Sequence, residues 1–164
     1  MSKVLALIFR LAVILLGYIG ASLAASAFIN ILALGALGAE PSDPVATASL
    51  VFTIPFTALF VAYYAFFPAV VAIFITEYLG KSDWLTHALG GGAAALVVVG
   101  ALLANGNFWL GRFETDDFEA YWPPFEEPRT ALLLLGAGLI GGIVYWLIAG
   151  RSAGSWQQDA RQLP

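Results

Sequence analysis

Four stretches of this chain run almost without charge for about 20 residues or more, the length a helix needs to cross the hydrocarbon of a bilayer. They lie within Val4–Gly38, within Val45–Tyr78, at about Leu85–Ala104 and at about Thr130–Ala149. The runs are continuous. A transmembrane barrel would instead show roughly ten-residue segments that alternate apolar and polar positions. A water-soluble fold is also excluded. Of the 164 residues, 60% are apolar and 11% are charged, against about 25% charged in a soluble domain. A chain this short cannot hide that much apolar surface in its own core. The expected fold is all-α, an integral membrane four-helix transmembrane bundle forming one domain over residues 1–164. Its spans fall at about 11–37, 52–78, 85–104 and 130–149, with a long polar connection over 105–129.

The N-terminal stretch has features of a signal peptide: Lys3, an apolar centre and small residues at Ala21–Ala25. Arg10 interrupts the apolar region, however, and hydrophobicity continues to Leu37. A signal peptide's apolar core is only about 7–15 residues, so the reading is an uncleaved first span. Orientation follows from Lys and Arg, which collect on the cytoplasmic side. With the N-terminus inside, Lys3, Arg10, Lys81, Arg151 and Arg161 are cytoplasmic, and only Arg112 and Arg129 are outside. Both termini are therefore expected in the cytoplasm. The first two apolar runs are longer than the bilayer requires. Their excess is expected to break or tilt, with Ser2–Arg10 lying along the surface and Pro55 starting the second helix.

The second span has two opposed faces. On a helical wheel of about 100° per residue, Phe56, Phe60, Tyr63, Phe67 and Phe74 fall within about 80° of Phe52. Ala58, Ala62, Ala65, Ala69 and Ala72 cluster on the other side. Small residues let helix backbones approach closely, so the alanine face is expected to pack inside and the ring face to look outward. The third span adds Gly91 and Gly92, and the fourth adds the G-x-x-x-G pair Gly138 and Gly142. Pro68 is expected to kink the second span near Tyr64, because it cannot donate a backbone hydrogen bond.

The polar inventory points away from catalysis. No charge falls near the middle of a span, where ion and proton pathways carry it. Cysteine is absent and His87 is the lone histidine, which leaves no zinc ligand set. No phosphate loop or nucleophile elbow occurs, and no basic patch suggests nucleic acid. The expectation is no catalytic, cofactor or metal site, with Glu77 and His87 flanking one short loop and available to each other. The connection over 105–129 is distinctive. It carries Glu114, Asp116, Asp117 and Glu119 beside Trp109 and Trp122, and it is expected to be ordered, either as an amphipathic segment resting on the membrane surface or as a docking face for a basic or amphipathic partner outside the membrane.

Two segments, FFPAVVAIFITEYLGKSDWLTHALGGG (Phe66–Gly92) and GGIVYWLIAGRSAG (Gly141–Gly154), resemble small four-span inner-membrane proteins of alphaproteobacteria. The resemblance implies a bacterial inner membrane and brings no activity or catalytic residue with it. The expected function is a non-enzymatic membrane subunit that packs against itself or other membrane subunits and helps assemble or stabilise a complex. Two alternatives stand beside it: a small homo-oligomeric transporter or channel, and a quinone- or pigment-binding protein using the ring face.

Overall fold

A computed structural model describes residues 3–36, 44–104 and 128–154. The chain is an all-α four-helix transmembrane bundle: α1 (Lys3–Ala36), α2 (Pro44–Leu79), α3 (Trp84–Ala104) and α4 (Pro128–Ile148), followed by a 3-10 turn at Gly150–Ser152. Each helix is long and apolar enough to cross a membrane. α4 packs between α1 and α3, and α2 closes the bundle by touching the same two helices. The start of α1, the end of α2, the start of α3 and the end of α4 meet at one end, where contacts tie Arg10, Glu77 and Ala149 together and His87 to Tyr145.

Local chemistry sets the helix ends. α2 and α4 open on Pro44 and Pro128, and proline suits a first helical position because its missing N–H has no intrahelical partner there. α3 opens on a side-chain cap: Asp83 Oδ2 accepts from the Thr86 backbone N–H at 2.8 Å and from its hydroxyl at 2.6 Å. α2 closes in a Schellman turn. Gly80 takes φ +60°, its N–H donates to Glu77 O at 3.3 Å, and the Lys81 N–H donates back to Thr76 O at 3.0 Å. Glycine pays no Cβ penalty at that left-handed position.

The helix boundaries correct two expectations. α2 starts at Pro44, and Pro55 lies inside it rather than at its start; the helix also continues through Pro68. Each proline removes one donor from the ladder, and the turns around it carry the helix across. The segment up to Arg10 is the beginning of α1 rather than a separate surface piece. At 34 and 36 residues, α1 and α2 are each about 50 Å long, well beyond a hydrocarbon layer of about 30 Å. α3 and α4, at 21 residues each, match that thickness.

Candidate functional site

Small residues bring the helices together. A Cβ added at Gly91 would lie 3.0 Å from Gly142 Cα, and one at Gly138 would lie 2.7 Å from Ala95 Cβ. One added at Gly142 would lie 3.0 Å from Ala88 Cα and collide with the His87 carbonyl. So α3 and α4 touch backbone to backbone. Gly92 meets Leu139 instead, 3.0 Å from its Cδ2. On the other side of α4, Gly141 faces Ala21 and Ala25 of α1, and Gly136 faces the Phe28 ring.

The alanines of α2 turn toward this centre to different degrees. Ala58 is buried at 6% exposure, while Ala62, Ala65, Ala69 and Ala72 are half-buried. Ala72 lies 3.7 Å from the Cβ position of Gly90 in α3. Against α1, the Tyr18 hydroxyl donates to the Ala62 carbonyl, and the fully buried Ser26 hydroxyl donates to Ile54 O at 2.6 Å. The rings look the other way. Phe52, Phe56, Tyr63, Phe67 and Phe74 are 64–79% exposed, and Phe60 is half-buried. An open apolar groove of about 290 Å³ runs along Phe56, Leu59, Phe60, Tyr63 and Tyr64.

The polar groups converge at the end where the four helices meet. Arg10 of α1 pairs with Glu77 of α2, and each side chain is only 12% exposed. The same guanidinium donates through Nη1 to Ala149 O at 3.2 Å and to Ser152 Oγ at 2.6 Å. It therefore caps α4, whose last carbonyls have no partner within the helix. The second oxygen of Glu77 accepts from the Gly154 N–H at 3.3 Å. Gly154 sits at φ +74°, and a Cβ there would lie 2.6 Å from Gly80 Cα. The turn after α4 is thus pressed onto the turn after α2. Separated charges in this setting would cost roughly several kcal/mol each; paired and hydrogen-bonded, they hold three elements in one register.

His87 supplies the α3 corner. Its Nδ1 lies 2.9 Å from Asp83 O. A carbonyl only accepts, so Nδ1 is the donor of this bond. The ring stacks on Tyr145 at 5.7 Å and 25°, and Nε2 lies 2.7 Å from the Cβ position of Gly150. Both His87 and Tyr145 are 5% exposed. Gly17 of α1 accommodates the Tyr145 ring, 3.1 Å from where its Cβ would be. The expected pairing of Glu77 with His87 is replaced: Glu77 bonds Arg10 and Gly154, and His87 bonds its own turn. Among the described residues, no three His, Cys, Asp or Glu side chains group closely enough to hold a metal.

Outside this corner, Asp83 is fully exposed, and the hydrogen bonds from Thr86 hold its carboxyl below the ordinary carboxylate range. The expected docking residues Trp109, Glu114, Asp116, Asp117, Glu119 and Trp122 lie outside the described residues. Sequence reading missed the clasp, although its signal was present. Arg10 and Glu77 are opposite charges near the ends of two apolar runs, and an up-down topology brings those ends together. It also missed Gly150 and Gly154, whose roles depend on contacts across the bundle.

No protein-family model, curated protein or solved structure matches this chain.

Proposed function

We propose that the chain is a non-enzymatic subunit of a bacterial inner membrane, with both termini cytoplasmic, that assembles with itself or with other membrane subunits and stabilises the assembly. The observation that carries this reading is the division of labour within α2. Its alanines are turned into the bundle, and its rings are presented outward over most of its length. A helix built this way offers a large, stiff apolar surface while its own fold is held elsewhere. The Arg10–Glu77 clasp supports the same reading, because its charges are spent on binding helix ends to one another. The Lys and Arg distribution supports the orientation, and the four apolar helices support placement in a membrane.

A second reading rests on the open, ring-lined groove along Phe56, Leu59, Phe60, Tyr63 and Tyr64, an apolar surface on which a flat apolar molecule such as a quinone or pigment would lie. Purification from native membranes in mild detergent, with mass spectrometry and an absorption spectrum, separates the readings. Stoichiometric co-purifying membrane subunits, or a stable homo-oligomer that conducts no solute in liposomes, support the proposal. A bound chromophore or quinone supports the second reading. A lone oligomer that conducts solute contradicts both.

A further inference from the structure

We propose that the clasped end carries a binding site for the phosphate headgroup of an anionic phospholipid, built from Lys81 and Arg151 on the Trp146 ring. These residues come from separate loops, and two contacts join them. The Trp146 indole N–H donates to Ser82 O at 2.7 Å, which ties the end of α4 to the residue after Lys81. Gly154 packs on Gly80 so closely that a Cβ there would lie 2.6 Å from the Gly80 Cα, which ties the following turn to the residue before Lys81. Lys81 and Arg151 are both exposed, and each lies within three residues of the end of an apolar helix long enough to cross a membrane, α2 ending at Leu79 and α4 at Ile148.

The arrangement is prepared for an anion. The Arg151 guanidinium lies 4.6 Å from the centre of the Trp146 ring. This cation–π contact places the guanidinium over the ring face, and a guanidinium carries five N–H donors with which to bond phosphate oxygens. The ring is itself fixed by its bond to Ser82. The Schellman turn at Gly80 fixes where the Lys81 backbone leaves α2. Nearby, Glu77 is committed to Arg10 and to the Gly154 N–H. Asp83 is the opposing charge next to Lys81, and its Oδ2 is held by Thr86. A free phosphate has the same chemistry as a headgroup. Placement at the mouth of two spans selects the lipid, whose acyl chains would continue along the exposed apolar surface below. The inference does not depend on which leaflet this end faces.

The test is native mass spectrometry of the full chain released from nanodiscs of equal phosphatidylglycerol and phosphatidylcholine. The expected result is preferential retention of phosphatidylglycerol, reduced about fivefold by Lys81→Gln and about fivefold by Arg151→Gln, the effect of one interfacial cation. Arg129→Gln, at the far end of α4, should leave retention unchanged. Equal retention of the two lipids would overturn the site, as would Arg129→Gln acting as strongly as Arg151→Gln. Displacement of the lipid by millimolar inorganic phosphate would overturn the lipid assignment.

Discussion

α4 and α2 are both apolar enough to span a membrane, yet the bundle uses them in opposite ways. α4 is rich in glycine and is pressed between two neighbours, with Gly138 and Gly142 against α3 and Gly136 and Gly141 against α1. α2 carries rings and keeps most of them exposed. Of the most apolar stretch of each helix, 22% is buried in α4 and 6% in α2. Hydropathy therefore does not decide which helix is central. In lipid, where apolar side chains gain little by meeting one another, backbone proximity and polar bonds drive association. α4 is held by shape, because its neighbours can reach its backbone. α2 is held by the Tyr18 and Ser26 bonds to its carbonyls and by Glu77 at its end.

The sharpest way to break this contrast is to unpin α2. Glu77→Ala leaves the Arg10 guanidinium without its counter-ion in a site where both side chains are 12% exposed. The expected loss is about 3–5 kcal/mol, read as thermal unfolding in detergent. The double variant Arg10→Met, Glu77→Leu should cost clearly less than the sum of the two single variants. Shape comes next. Gly142→Ala drives a methyl into the His87 carbonyl and should cost about 1–3 kcal/mol. Gly100→Ala, with open space at its Cβ, should instead gain about 0.5–1 kcal/mol from helix propensity. If the two variants behaved alike, α4 would not be the close-packed helix.

Smaller effects refine the picture. Ser26→Ala removes one bond between α1 and α2 and should cost about 0.6 kcal/mol, the average for such bonds in membranes. Phe67→Ala, at 79% exposure, should change bundle stability by no more than about 0.5 kcal/mol. A larger loss in the native membrane than in detergent would show that the ridge is covered there. The last effect concerns pH. The folded-state pKa of Asp83 is lowered, so its cap contributes fully above the unfolded value, and the contribution is lost as pH falls through the folded one. A stability-against-pH curve should lose this acid-side slope in Asp83→Asn.

How much of this could be read from the sequence depends on the range of the interaction. The spans and the class follow from run length alone, since four long apolar runs leave no other solution. The two faces of α2 follow from helical spacing, which is local. The start of α2 at Pro44 instead of Pro55 was hidden because proline suits a helix start and, in a membrane, is also tolerated inside a helix. The clasp could not be read from either partner alone. Arg10 and Glu77 are 67 positions apart, and only the docking of α4 brings Ala149, Ser152 and Gly154 to them. His87 resembled a partner for Glu77 because it is near in sequence, but the turn of α3 directs its ring to Tyr145.

Cysteine cross-linking in native membranes tests the central claim most directly, namely that small-residue faces line the interior of the bundle and the ring face of α2 looks out. The chain has no cysteine of its own. Disulfides form at Cβ separations of about 3.5–4.5 Å, and Gly141 lies 3.6 Å from Ala25 and Gly90 3.7 Å from Ala72, measured from the Cβ position of each glycine. The variants Ala25→Cys with Gly141→Cys, and Ala72→Cys with Gly90→Cys, should each oxidise within a single chain, while Phe67→Cys paired with Gly138→Cys should not. Intrachain cross-linking of the Phe67–Gly138 pair, with neither of the other two forming, would place the rings inside and contradict the account.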